Sequence, residues 1–429
     1  MSIRYTTLPN GLRIVTDNAP GIESLALGFW VGVGTRHELA QENGIAHMLE
    51  HMMFKGTATR SAKDLSDLIE DAGGYFNAYT AREVTAYYIR ILKDHLDLSL
   101  NVLADMLQNS IFPEDEIEKE RTVILQEIKM YEDSPDDMVF QNALEAAFPE
   151  QAVGSSGLGT PEIVSKISVP DLKTYIGKHY AAERIVISCA GDIDHDQFVA
   201  LVEKYFLSFP AQSLNGNNPG YVAANYNPRH ALVEKETEQA HIIIGFKGAS
   251  KRSADYPTQR ILSNILGGGT SSRLYHEIRE KHGLVYTIQT FQDSYSDAGL
   301  FGVYAGTGPE ELKKLIPLTI EQINSMADGV SEQEINRAKS QISSNVRMAR
   351  EKMMTRADQQ GRYMLTHGTT FDTQSYIEKI NRVTEQDIID YAKKLFTSPL
   401  MVSAYGPIGA NVDPTEIEEN IRKKYNNLG

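Results

Sequence analysis

Ser24-Leu25-Ala26-Leu27-Gly28-Phe29-Trp30-Val31-Gly32-Val33 reads as an apolar strand, and its centre, Leu27-Gly28-Phe29, returns as Ile244-Gly245-Phe246 217 residues later. One such match carries little weight, but three more follow in chain order. Pro113-Glu114-Asp115-Glu116-Ile117 opens an acidic helix and Ser331-Glu332-Gln333-Glu334-Ile335 opens another, with Glu116 and Glu334 218 apart. Ser168-Val169-Pro170-Asp171-Leu172 matches Arg382-Val383-Thr384-Glu385-Gln386-Asp387-Ile388 around acids 216 apart. The strands 185–191 and 400–406 then end on glycines 215 apart. Four matches at a nearly constant offset mean that the chain contains one structural unit twice.

Between the copies, residues 210–228 include Asn215, Gly216, Asn217, Asn218, Pro219 and Gly220, a turn-rich composition that marks a linker. The expected division is 1–210, a linker 211–228, and 229–429. Each half mixes alternating strands (11–16, 24–33, 85–91) with long amphipathic helices (62–72, 96–108, 113–131), without a regular βαβαβ rhythm. The fold class expected is therefore α+β, with helices packed on one face of a mainly antiparallel sheet in each half.

The 429 residues are 41% hydrophobic and 23% charged, which excludes a disordered or collagen-like chain. At about 150 residues per domain, the length suggests two to four domains. No run approaches the roughly 18 apolar residues of a membrane helix. Met1-Ser2-Ile3-Arg4-Tyr5-Thr6-Thr7 resembles neither a secretory signal nor a transit peptide. Cys189 is the sole cysteine, so no internal disulfide is available. A cytoplasmic location is expected. The net charge of −15 argues against nucleic acid and anionic membranes as main partners and suits basic ligands.

Ile45-Ala46-His47-Met48-Leu49-Glu50-His51-Met52-Met53-Phe54 is apolar at seven of ten positions. Asn43 can cap this helix and Gly56 can end it. An apolar helix of this kind is expected to be buried, and unpaired polar groups there cost several kcal/mol. His47 and His51, at i and i+4, project from one face and can converge on a metal ion. Two core histidines bonded to nearby backbone are the plainer alternative. His-x-x-Glu-His is the inverse of the thermolysin-type zinc motif. Two imidazoles leave zinc under-coordinated, and the helix 113–131 offers candidates for a third ligand. Its apolar stripe Ile117, Glu120, Ile124, Glu127, Ile128, Tyr131 contains two acids, and the pattern alone does not choose between them. Glu114, Glu116, Glu118 and Glu132 fall on a solvated face.

His47-x-x-Glu50-His51 followed 76 residues later by Glu127 resembles the pitrilysin/insulinase family of zinc metallopeptidases. Within that family the resemblance is closest to the mitochondrial processing peptidase branch and its bacterial relatives. It extends over Asn10-Gly11-Leu12, Phe54-Lys55-Gly56-Thr57, Asn77-Ala78-Tyr79-Thr80 and the duplicated second half. The resemblance implies that His47, His51 and Glu127 hold one Zn2+ per chain, that Glu50 is the general base, and that Glu120 is an acid supporting the catalytic site. It implies two halves closing as a clamshell around a chamber, the first catalytic and the second a substrate-binding counterpart. Asn77, Ala78 and Tyr79 would lie on an edge strand to which an extended peptide adds, and Arg279 and Tyr286 would reach the substrate.

The second half has no counterpart of the trio. Leu262-Ser263-Asn264-Ile265-Leu266 precedes Gly267-Gly268-Gly269, and no Gly-Lys-Ser/Thr follows to make a phosphate loop. Gly154-Ser155-Ser156-Gly157 does not fit the Gly-x-Ser-x-Gly elbow of a serine hydrolase. The implied activity is zinc-dependent endopeptidase cleavage of short or unfolded peptides, as in processing peptidases that remove basic N-terminal extensions. The alternative is a catalytically silent assembly subunit related to respiratory-complex core proteins, which usually lose parts of the motif. The implied assembly is a homodimer, or else a heterodimer with an inactive paralogue.

Overall fold

The computed structural model describes residues 3–211 and 221–426 and forms two compact units, each built on one sheet. Residues 212–220 of the expected linker lie outside the described residues. The first sheet contains β1 (Ile3–Thr7), β2 (Arg13–Asn18), β3 (Ser24–Val31), β4 (Tyr75–Thr80), β5 (Thr85–Leu92) and β6 (Ile185–Gly191), in the order β1-β2-β6-β3-β5-β4. The second contains β7 (Ala231–Glu234), β8 (Ala240–Lys247), β9 (Thr287–Ser294), β10 (Gly299–Thr307) and β11 (Met401–Gly406), in the order β7-β11-β8-β10-β9. Each sheet is antiparallel apart from one parallel pair, β2 with β6 and β7 with β11.

Helices α1 (Ile45–Met52), α2 (Ala62–Glu70), α3 (Leu96–Asn109), α4 (Glu114–Glu132), α5 (Pro135–Ala147), α6 (Pro161–Val164), α7 (Val169–His179) and α8 (His195–Phe206) punctuate the first copy. The second copy has α9 (Tyr256–Gly267), α10 (Leu312–Ser325), α11 (Glu332–Ala349), α12 (Met353–His367), α13 (Thr373–Arg382), α14 (Glu385–Phe396) and α15 (Pro414–Asn426). The duplication is visible in local chemistry as well as in element order. Ser168 caps α7 by accepting the Asp171 amide while the Asp171 carboxylate accepts the Ser168 amide; Thr384 and Asp387 do the same for α14.

The α+β class and the two homologous halves are as expected, but helices cover both faces of each sheet. One face of the first sheet carries Leu27, Phe29 and Ile89 into a core shared with Met48, Leu103, Leu172 and Phe198. On the opposite face, Ala26, Trp30 and Ala86 pack with Met353 and Ala357 of α12, and Val15 and Val186 with Met364. The cause is local: β3 is buried at seven of its eight positions and β6 along its whole length, so neither face can be left to water.

The helix closing that second face comes from the other copy. The first unit comprises Met1–Lys129, Ser155–Val222 and Arg347–Asp372; the second comprises Met130–Gly154, Ala223–Val346 and Thr373–Gly429. In return, α5 of the first copy packs Val139, Ala143 and Ala147 against Ile243, Met401 and Tyr405 of the second sheet. The two exchanged helices start at Pro135 and Met353, 218 positions apart, so they are equivalent members of the duplication. The division at 210 and 229 therefore describes the repeat in the chain, whereas the compact units trade one helix each. Asp17, buried near the end of β2, fastens α12 by pairing with Arg356 and, at 2.5 Å, with Arg350 just before the helix.

No described helix is long and apolar enough to cross a membrane.

Candidate metal centre

Helix α1 buries Ile45, Ala46, Met48, Leu49 and Met52 in the first core. At 100° per residue, its three polar members occupy the remaining arc of roughly 100°, so His47, Glu50 and His51 share one face. That face is half-buried rather than sealed: the His47 and His51 side chains are 15% and 18% exposed. The expected burial of the whole helix is thus corrected, since five apolar side chains suffice to anchor two turns.

The start of α1 also differs from the sequence reading. Asn43 does not cap it. Gly44, with φ 95°, occupies the capping position, where a Cβ would stand 2.9 Å from Gly159 Cα. The missing acceptor is supplied by Glu38, which takes the Gly44 amide at 3.0 Å and the Ala46 amide at 2.9 Å. Asn43 instead donates to Glu38 Oε2 at 3.0 Å and to the Ser156 carbonyl at 2.9 Å. Burial pushes the Glu38 carboxyl up to about 7, against the opposing hydrogen bonds from Ala46, Gly44 and Asn43. Sequence reasoning missed Glu38 because it lies six residues before the cap, beyond the range in which capping patterns are sought.

His47 Nε2 and His51 Nε2 are 3.3 Å apart, and Glu127 Oε2 lies 3.7 Å from the first and 3.9 Å from the second. Among the described residues these three form the one group of His, Cys, Asp or Glu side chains placed to share a metal ion. A tetrahedral zinc with donors at about 2.0–2.1 Å separates its ligand atoms by roughly 3.3 Å. The triangle fits that ion with only a slight closing of the Glu127 side. Burial, and next the adjacent His51, lowers the His47 pKa to about 4, which keeps this ring a neutral donor.

Glu120, two turns before Glu127 on α4, approaches the other side of His51. Its Oε2 is 2.7 Å from His51 Nδ1, and its Oε1 is 2.5 Å from Lys55 Nζ. Burial raises the Glu120 pKa, but the bonds to Lys55 and His51 outweigh it, leaving the carboxyl below its usual range. With Nδ1 donating to that carboxylate, the His51 Nε2 lone pair points at the shared centre. His47 Nδ1 is buried without a partner among the described residues, so only one ring has its orientation set by a neighbouring acid.

Glu50 stands outside the triangle. Burial raises its pKa, opposed by hydrogen bonds from Thr80 and by His51. A carboxyl held above its ordinary range and beside a metal site is suited to taking and returning a proton near neutrality.

Asn77, Ala78 and Tyr79 lie on β4, which pairs with β5 alone and forms an edge of the first sheet. Asn77 is exposed and its Nδ2 donates to the Tyr75 hydroxyl at 2.5 Å; Ala78 packs on the core; Tyr79 turns to the opposite face. Arg279 and Tyr286 belong to the second unit. Arg279 sits on the π-helical segment Tyr275–Lys281, its guanidinium 4.9 Å from the centre of the Tyr275 ring and its Nη1 donating to the Tyr275 hydroxyl at 2.8 Å. Tyr286 is 77% exposed. At the place of α1 in the second copy, α9 carries Ser263, whose hydroxyl meets Thr290 Oγ1 at 2.9 Å.

Two families match the chain: "Insulinase (Peptidase family M16)" over residues 13–161 and "Peptidase M16 inactive domain" over residues 166–342. An "Uncharacterized zinc protease" of Rickettsia felis is 39% identical, the alignment covering 95% of this chain and 98% of the relative. The "Uncharacterized zinc protease YmxG" of Bacillus subtilis is 36% identical over 95% of this chain and 99% of its own. Among solved structures, a protease from Helicobacter pylori superposes with a TM-score of 0.86 at 23% identity, covering 95% of this chain and 99% of that one. A chain of complex III2 from Candida albicans also reaches 0.86 at 20% identity, covering 98% and 100%. Identities this low speak for the fold alone.

Proposed function

Since the chain belongs to the insulinase (M16) peptidase family, we propose that it is a zinc-dependent metalloendopeptidase acting on short or unfolded peptides. One observation carries the reading: His47, His51 and Glu127 converge within 3.9 Å while Glu50, on the same helix, stays out of the triangle. Zinc, when bound there, supplies a Lewis acid that acidifies water and polarises a peptide carbonyl. His47, His51 and Glu127 would hold the ion, with Glu120 orienting His51 through Nδ1. Glu50 would accept the proton of the attacking water and pass it to the departing amine. Edge strand β4 offers its unpaired backbone groups to an extended peptide, a mode that reads main chain more than side chain. Arg279 and Tyr286 would add contacts to that peptide, which the acidity of the chain suggests is basic by preference. A homodimer is part of the same reading.

The rival, a silent assembly subunit, is disfavoured by the survival of His47, Glu50, His51, Glu120 and Glu127 together. The deciding experiment compares wild-type protein with Glu50→Gln for bound zinc and for chelator-sensitive cleavage of a basic peptide. Both should carry one zinc per chain, and only the wild type should cleave. Full activity in Glu50→Gln would remove that residue from the mechanism, and a zinc-free, inactive wild type would favour the silent subunit.

A further inference from the structure

Strand β4 is held from both sides. Its side chains alternate between faces. Toward α1, the Phe76 and Phe54 rings lie 5.0 Å apart, and Thr80 Oγ1 lies 3.5 Å from the Ala46 carbonyl. Toward the other face, the Tyr79 hydroxyl donates to Asp358 Oδ1 at 2.5 Å, and Trp30 Nε1 donates to the same oxygen at 2.9 Å. Asp358 stands on α12, the helix supplied by the second copy. That helix packs tightly on the sheet, since a Cβ at Gly361 would stand 2.6 Å from the Trp30 ring. A single carboxylate oxygen therefore ties the central strand β3 and the edge strand β4 to one closely packed helix.

An edge strand has hydrogen-bonded support on one side only, so its tilt depends on such ties. We infer that Asp358 is a positioning residue: through Tyr79 it fixes the tilt of β4, and with it the outward row of backbone groups that receives an extended peptide. The inference rests on the peptidase reading and adds to it a residue from outside the first copy.

The test compares Tyr79→Phe, Asp358→Ala and Asp358→Asn with wild type on two peptides, one long enough to run the length of β4 and one spanning only the cleaved bond. Tyr79→Phe and Asp358→Ala should raise KM for the long peptide about tenfold while changing the short one less than threefold, with zinc content intact. Asp358→Asn, which keeps an acceptor oxygen in place, should recover most of the loss. Trp30 is the only tryptophan, so its emission should shift in Asp358→Ala and reports directly on the broken tie. Tyr79→Phe removes a single oxygen and decides the matter if Asp358→Ala fails to fold. Equal losses on both peptides, or no loss on either, overturn the inference while leaving the peptidase reading intact. A wild type that cleaves neither peptide with zinc bound overturns the peptidase reading, and this inference with it.

Discussion

The Glu38 carboxylate accepts the Ala46 amide at 2.9 Å, one residue before the first histidine of the metal triangle. The same carboxyl holds its proton up to about 7 in the folded chain, whereas an unfolded chain releases it near 4.5. Ionisation between those values penalises the native state, so this contribution to stability is lost as pH rises from about 4.5 through 7. Glu38→Gln has no proton to lose. In urea titrations of zinc-free protein, wild type should lose on the order of 1–3 kcal/mol relative to Glu38→Gln between pH 5 and pH 8. A difference that stays constant with pH would show that Glu38 does not titrate in this range.

Glu120→Gln should weaken zinc binding about 10–100-fold, because the neutral amide no longer favours the His51 tautomer with Nδ1 protonated. Lys55 would also lose its ionic partner. Competition with a chromophoric chelator measures the change. Zinc affinity equal to wild type would restrict Glu120 to a structural pairing with Lys55.

Asp17→Ala leaves Arg356 buried without its counter-charge and should destabilise the first unit by about 3–5 kcal/mol. Adding Arg356→Met should recover part of that loss, since the charge no longer needs a partner. Thermal unfolding of the single and double variants gives the comparison, and a double variant less stable than the single would exclude this account.

Arg279→Ala should reduce kcat/KM on a long peptide about tenfold or more if the side chain reaches substrate. Unchanged kcat/KM would reduce Arg279 to its stacking on Tyr275.

Lys- and Arg-rich peptides should be cleaved faster than Glu-rich ones at low ionic strength, with the gap closing at about 1 M salt as the Debye length falls to roughly 3 Å. Equal turnover of both, independent of salt, would mean that the acidity of the chain serves solubility alone.

The duplication, the α+β class and the pairing of His47 with His51 were legible in the sequence, because each rests on a short local pattern. Helix i and i+4 spacing projects two histidines together whatever surrounds them, and the strand glycines recur at a nearly constant offset. What stayed hidden depends on contacts beyond the reach of local sequence patterns. Glu38 reaches α1 only because Gly44 turns with positive φ. The choice between Glu120 and Glu127 depends on which face of His51 each carboxylate meets, a matter of how α4 crosses α1. Asp358, 279 residues from Tyr79, could not be linked to it by any periodicity. The exchange of α5 and α12 was equally invisible, since equivalent helices carry equivalent patterns and do not say which sheet they serve.

That exchange sets an order of events during synthesis. When a ribosome has released residues 1–210, every strand of the first sheet exists, yet one of its faces still lacks the helix that ends at His367. Trp30, Val15 and Val186 must wait, uncovered, while more than a hundred further residues are made. The nascent chain is therefore most exposed to misassociation in that interval, while its first sheet has an uncovered apolar face.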